Sequence, residues 1–204
     1  MITENLINFA TNLIATLGYP GIFTLMATES LMVPFPPEVT LVFSGFLAST
    51  GKLNVFLVII CAVLGALLGS SISYWIGYHF KKTILQKLLD KNGHFLFITH
   101  NEYVKTQTML KKHGPWMITV ARFVPGLRSI VSLPMGILHV PYVKFLQYTF
   151  LGSLGSSSLL VALGYALGDR WQQVRNLVHK LDIAILAIGI LTILVYIYKK
   201  NRHA

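Results

Sequence analysis

Four charged residues stand inside apolar sequence that is long enough to enter a lipid bilayer. Glu29 and Glu38 lie in the stretch ESLMVPFPPEVTLVFSGFLA, and Arg122 and Arg128 lie in ARFVPGLRS. An ionised side chain at the bilayer centre costs about 3 kcal/mol on insertion scales, so these groups must face protein or water. Arginine presents a planar fork that matches phosphate oxygens, and a carboxylate beside it can exchange a proton. The four residues therefore predict an anion site with a titratable partner.

Prolines interrupt both of these segments. A proline leaves backbone groups without helical partners, and a broken helix is tolerated in a membrane only where it is buried in protein or lines a cavity. We therefore predict two re-entrant helical hairpins, at 21–50 and 115–143, each entering and leaving the membrane on one side. The expected hairpin breaks are Pro34, Pro36, Pro37, Pro125 and Pro134.

The composition indicates an integral membrane protein. Of 204 residues, 54% are hydrophobic and only 12% are charged, about half the charged share of a soluble domain. The length suits one membrane domain, and no low-complexity linker divides it. The net charge of +10 comes from segments that flank apolar spans, as the positive-inside rule expects, so we predict no nucleic-acid partner.

Three charge-free segments predict spanning helices, at 53–80, 145–168 and 183–198. The basic stretch 81–114 between the first two is expected in the cytoplasm, as is the basic C-terminal tail. Both basic regions can share one face only if the second proline-broken segment does not cross the membrane. The helical spacing of apolar residues at 1–18 predicts an interfacial or packed helix, whose side of the membrane stays open.

The two halves of the chain resemble each other. LGALLGSSISYWIGY, Leu64 to Tyr78, aligns without gaps onto LGSLGSSSLLVALGY, Leu151 to Tyr165, and each follows a proline-broken segment. An odd number of crossings between the hairpins makes the predicted repeats inverted, with their tips approaching each other near the membrane centre. Inverted repeats with discontinuous helices are a transporter architecture. The alternative is a chance likeness between two apolar helices.

Other features of the sequence argue against an enzyme. The serines of the repeated helices are explained by close helix packing in lipid, and no His or Asp is placed to activate one of them. The single cysteine, Cys61, excludes a disulfide within the chain, and no metal or cofactor is predicted. An alternative for the four charges is a set of buried salt bridges that only orient the hairpins.

The segment around Glu29 with PFPPEVTL, the Gly45 to Gly51 segment and ARFVPGLRSIVSLPMGI resemble the DedA family of bacterial inner-membrane proteins, which is related to the VTT-domain scramblases. The likeness covers nearly the whole chain. It implies two opposed re-entrant hairpins, lipid movement across the cytoplasmic membrane and, in some members, dependence on the proton motive force. The family's acidic positions fall on Glu29 and Glu38, and its paired arginines on Arg122 and Arg128. Some members have Gly-Asp where this chain has Pro37-Glu38, which keeps the charge on a longer side chain.

The leading functional hypothesis is a flippase for a phosphate-bearing lipid, with undecaprenyl phosphate as the preferred candidate substrate. In this hypothesis Arg122 and Arg128 bind the phosphate, and Glu29 and Glu38 couple transport to protons. The alternatives are a flippase or scramblase for phosphatidylethanolamine, and a proton-coupled antiporter for cations or drugs, for which two arginines are electrostatically unsuited. We expect a multi-pass protein of the bacterial inner membrane. Its expected partners are membrane lipids, protons and a second copy of the chain.

Overall fold

The computed structural model describes residues 2–31, 37–79, 114–124 and 127–170. Within these ranges the regular structure is helical, without strands, and the prediction of an all-α chain is confirmed there. The helices are α1 (Ile2–Leu17), α2 (Tyr19–Glu29), α3 (Pro37–Ser49), α4 (Val55–His79), α5 (Trp116–Ala121), α6 (Leu127–Ile130), α7 (Ser132–Ile137) and α8 (Tyr142–Leu167), and a 3-10 turn, Gly168–Arg170, follows α8.

Helices α4 and α8 are long and apolar enough to cross a membrane, with 25 and 26 residues against the ~20 that a bilayer requires. They coincide with the spans predicted at 53–80 and 145–168. The span predicted at 183–198 lies outside the described residues. So does the predicted basic loop 81–114, apart from its last residue.

The long helix α4 exposes three of its four leucines and buries its three glycines. Leu57, Leu64 and Leu68 are each about half exposed, at 47%, 52% and 47%, whereas Gly69 and Ser70 are buried. A continuous apolar exposed face is unfavourable in water but suits contact with lipid tails, and small inward residues allow helices to approach closely. The side-chain distribution of α4 is therefore that of a membrane helix.

The proline-bearing segments are divided into short helices. Pro37 is the first residue of α3, and Pro134 lies in the first turn of α7, where a missing N–H costs no helical hydrogen bond. The chain leaves helical hydrogen bonding after α5 and resumes it at α6. The other predicted breaks, Pro34, Pro36 and Pro125, lie outside the described residues.

The short helices pack on the two long ones in a crossed pattern. Helix α2 packs on α4, the long helix that follows it, and α5 likewise packs on α8. The last short helix of each broken segment does the reverse, because α3 packs on α8 and α7 packs on α4. Gly77 of α4 lies against the backbone of Leu133, and Gly164 of α8 lies against that of Val42. Helix α1 buries its apolar face against α2 and α3.

Candidate functional site

Glu29 and Arg128 form a buried ion pair. Glu29 is the last residue of α2 and Arg128 lies in α6, and their exposed fractions are 1% and 4%. The arginine Nε lies 2.9 Å from Oε1 of the carboxylate, and Nη2 donates to Oε2 at 3.1 Å. The Ser129 hydroxyl donates to Oε1 at 3.3 Å. This two-point pairing satisfies the carboxylate and holds the end of α2 against α6.

Arg122 is held differently, by hydroxyl groups of the two long helices. It caps the C-terminus of α5 and is 2% exposed. Nη1 donates to the Ser153 hydroxyl of α8 at 2.8 Å, and Nη2 donates to the Ser70 hydroxyl of α4. Nε is buried and has no hydrogen-bond partner among the described residues. A buried cation with an unused donor therefore lies between the two long helices.

Two glycines of the long helices allow short helices to approach closely: Gly152 of α8 faces the end of α5 that carries Arg122, and Gly69 of α4 faces the end of α2. A side chain at Gly152, directly before Ser153, would lie 3.0 Å from Thr119 and 3.1 Å from the Cβ of Arg122. A side chain at Gly69, directly before Ser70, would overlap the Ala27 carbonyl of α2. Each serine that binds Arg122 thus follows a glycine that lets a neighbouring helix approach, as small residues do in membrane helix packing.

The four charged residues singled out in the sequence are brought together. Glu38, half-buried in the first turn of α3, and both arginines lie within electrostatic range of Glu29, and the two arginines lie within that range of each other. The charge pattern in the sequence does not specify which arginine pairs with Glu29, and the ion pair is with Arg128. Across the described ranges, no group of three His, Cys, Asp or Glu side chains could hold a metal ion.

Unused hydrogen-bonding capacity lies four residues from Arg128 and four residues on either side of Ser153, the partner of Arg122. In the described part of the chain, four buried side-chain atoms have no partner, namely Nε of Arg122 and the hydroxyl oxygens of Ser132, Thr149 and Ser157. Ser132 lies four residues after Arg128, and the other two lie four residues before and after Ser153. Each such group costs about 1 to 3 kcal/mol when left unsatisfied. A polar ligand at this place would be stabilised by groups that are already buried.

Ser70 and Ser153 were missed by the sequence analysis as partners of a charged group. Serines in these helices were expected to serve helix packing alone, since small hydroxyl residues are common at membrane helix contacts. The signal was present in the Gly69-Ser70 and Gly152-Ser153 pairs. A glycine that admits a neighbouring helix places the next hydroxyl beside whatever that helix carries. Only the fold identifies this group as Arg122.

These features define a helical membrane protein with a buried charged site at the junction of broken and continuous helices. The VTT domain family matches residues 35–166. The chain belongs to this family, and the expected membership of the DedA family is confirmed.

Several named proteins are similar over most of their length. An alkaline phosphatase-like protein of Lactococcus lactis subsp. lactis is 33% identical over 91% of this chain and 88% of its own. Undecaprenyl phosphate transporter A of Bacillus subtilis is 30% identical over 94% of this chain and 92% of its own. Protein DedA of Escherichia coli is 30% identical over 91% and 84%. No solved structure matches the chain.

Proposed function

We propose that this chain moves a phosphate-bearing lipid, first of all undecaprenyl phosphate, between the leaflets of the bacterial cytoplasmic membrane. The observation that carries the proposal is the buried guanidinium of Arg122, with an unused Nε donor and a hydroxyl partner on each long helix. In accepting from the arginine, Ser70 and Ser153 each keep an O–H that can be donated to an anion. Arginine and two hydroxyls together offer the donors that a phosphate group requires.

Arg128 is the second phosphate ligand in this proposal, and Glu29 pairs with it when no phosphate is bound. An arriving phosphate competes with the Glu29 carboxylate for the guanidinium of Arg128, because the carboxylate and the phosphate can each accept two parallel hydrogen bonds from it. A buried carboxylate that loses this partner has an unfavourable free energy in its ionised form, and it therefore takes up a proton. Lipid loading and proton uptake would then be linked, with Glu38 adding negative charge near Glu29.

The crossed packing supports the proposed inverted repeat of two re-entrant hairpins. The pairs α2 with α4 and α5 with α8 are equivalent in the repeat, as are α3 with α8 and α7 with α4. Gly77 and Gly164, which occupy the same position of the aligned repeats, each contact the last short helix of the other half. In an inverted repeat, the first hairpin enters from outside and the second from the cytoplasm, so that their charged ends meet inside the membrane.

The names of relatives support the choice of lipid. Proteins of Bacillus subtilis and Staphylococcus aureus, 30% and 24% identical, are named undecaprenyl phosphate transporter A. The same-class rival is a phosphatidylethanolamine flippase or scramblase. A proton-coupled cation or drug antiporter is disfavoured because the site contains two arginines. A phosphatase is the rival that the name of the Lactococcus relative raises.

The deciding experiment uses purified protein in liposomes with labelled undecaprenyl phosphate in the outer leaflet. Transfer to the inner leaflet is followed with a leaflet-specific quencher, with phosphatidylethanolamine as competitor and with inorganic phosphate release measured in the same samples. We expect transfer without phosphate release. Equal competition by phosphatidylethanolamine would select the phospholipid rival, and released phosphate would select the enzyme. No transfer of either lipid would refute the proposal.

A further inference from the structure

Three hydroxyl side chains form a line on the buried face of α8. Thr149, Ser153 and Ser157 follow one another at intervals of four residues, and their exposed fractions are 0%, 1% and 0%. Residues four apart share one helix face, and successive members are separated by about 6 Å along the axis. The middle member, Ser153, accepts a hydrogen bond from Arg122. The line therefore extends by one turn on each side of the buried arginine.

The outer two hydroxyls of this line behave unlike other serines of the long helices. Ser156 donates to the Gly152 carbonyl at 2.8 Å, and Ser71 donates to the Leu67 carbonyl at 2.7 Å. A serine or threonine hydroxyl in a membrane helix commonly donates in this way to a carbonyl of the preceding turn. Thr149 and Ser157 are buried without any partner among the described residues. Their hydroxyls keep an unused donor and acceptor.

We propose that Thr149, Ser153 and Ser157 form a hydroxyl ladder, along which a phosphate group is passed to and from Arg122 as it crosses the membrane. Each hydroxyl can donate to a phosphate oxygen, so a group leaving the arginine finds a donor one turn away in either direction. The opposite face of α8 exposes Leu151 and Leu159, which suits contact with lipid tails. The unpartnered Nε of Arg122 supplies a second, independent indication that an anion occupies this place.

This inference rests on the proposed function and deepens it, because it assigns a path as well as a binding point. The test compares the double variant Thr149→Val, Ser157→Ala with Ser156→Ala, which removes a neighbouring hydroxyl already satisfied within its own helix. Valine keeps the shape of threonine and loses only the donor. We measure leaflet transfer of labelled undecaprenyl phosphate, uptake of inorganic phosphate and equilibrium binding of the lipid, all in the same liposomes.

We expect the double variant to transfer the lipid at least about tenfold more slowly than wild type, while lipid binding changes less than about twofold and Ser156→Ala transfers normally. Loss of inorganic phosphate uptake in parallel would show that the ladder serves phosphate itself, and intact uptake would restrict it to the lipid head group. Thr149→Ser with Ser157→Thr restores both hydroxyls and is expected to restore transfer. Because the removed hydroxyls are unpartnered, their loss should not lower the melting temperature.

Transfer by the double variant at the rate of Ser156→Ala would overturn the ladder and leave the arginine site standing. A double variant that melts well below wild type, with transfer not restored by Thr149→Ser and Ser157→Thr, would assign the two residues a packing role and also overturn it. A wild-type protein that neither binds nor moves any phosphate compound would refute the proposed function itself, and the ladder with it.

Discussion

Arg128 binds Glu29 through two parallel contacts, Nε to Oε1 at 2.9 Å and Nη2 to Oε2 at 3.1 Å, across 99 positions of the chain. The pair joins the end of α2 to α6, two short helices from opposite halves of the molecule. Both side chains are almost completely buried. This contact therefore has two separable consequences, one for stability and one for the proposed competition between Glu29 and a phosphate group for Arg128.

The stability consequence is tested by Arg128→Met alone and together with Glu29→Met. The single variant leaves a buried carboxylate without its partner and is expected to lower the free energy of unfolding by about 3 to 5 kcal/mol. The double variant removes both charges and should recover most of that loss. Thermal unfolding in detergent measures both. A double variant no more stable than the single one would show that the charge pair is not the source of the effect.

The proposed binding of phosphate by the planar guanidinium group of Arg122 is tested by Arg122→Lys. Lysine keeps the positive charge but cannot contact Ser70 and Ser153 at once with planar geometry, so we expect most lipid transfer to be lost while the protein still inserts. The matched control is Arg170→Lys, at an exposed arginine of the 3-10 turn. Wild-type transfer by Arg122→Lys would mean that positive charge alone suffices.

Proton coupling is tested by Glu29→Gln and Glu38→Gln. Glutamine imitates the protonated carboxyl group, so phosphate binding should survive while transfer stops responding to a proton gradient. Flux is measured in liposomes with and without an imposed pH difference. The coupling role fails if the wild type ignores that difference, or if both variants keep full dependence on it. The carboxylates would then be structural partners of the arginines.

The close approach of α5 to α8 is tested by Gly152→Ala. The added methyl group would lie 3.0 Å from Thr119 and 3.1 Å from the Cβ of Arg122, and we expect a loss of about 1 to 3 kcal/mol together with impaired transfer. Gly155→Ala on the same helix is the control. Its methyl group would meet only the ring of Phe123, a half-exposed side chain that can move aside. Equal effects of the two substitutions would contradict this account.

The proposed topology is tested with single cysteines in a Cys61→Ser background. Lys52 and Lys144 are both exposed, just before α4 and near the start of α8. In the inverted repeat, Lys52→Cys faces outside and Lys144→Cys faces the cytoplasm. A membrane-impermeant thiol reagent on intact cells should label the first variant, and the second only after permeabilisation. Labelling of both in intact cells would exclude the inverted arrangement.

Several features of this protein were predictable from sequence because they depend on local composition. A charge-free apolar run long enough to cross a bilayer can be satisfied only as a helix, so α4 and α8 follow from residue type and length. The cost of a charge in lipid also identified Glu29, Glu38, Arg122 and Arg128 as residues needing partners. The family was recognisable from the same residues, and the VTT domain match confirms it.

The partners themselves were decided by tertiary structure. Which arginine pairs with Glu29, and which serines hold Arg122, depends on how the short helices of the two broken segments pack on the two long ones, and local sequence does not encode that geometry. Thr149 and Ser157 look like ordinary small residues in sequence. Their unused hydroxyls become visible only when burial and every nearby donor and acceptor are known. The residue types determined which charges and hydrogen-bonding groups need partners. The packing of distant segments decided which groups those partners are, because hydrogen bonds need partners within about 3 Å.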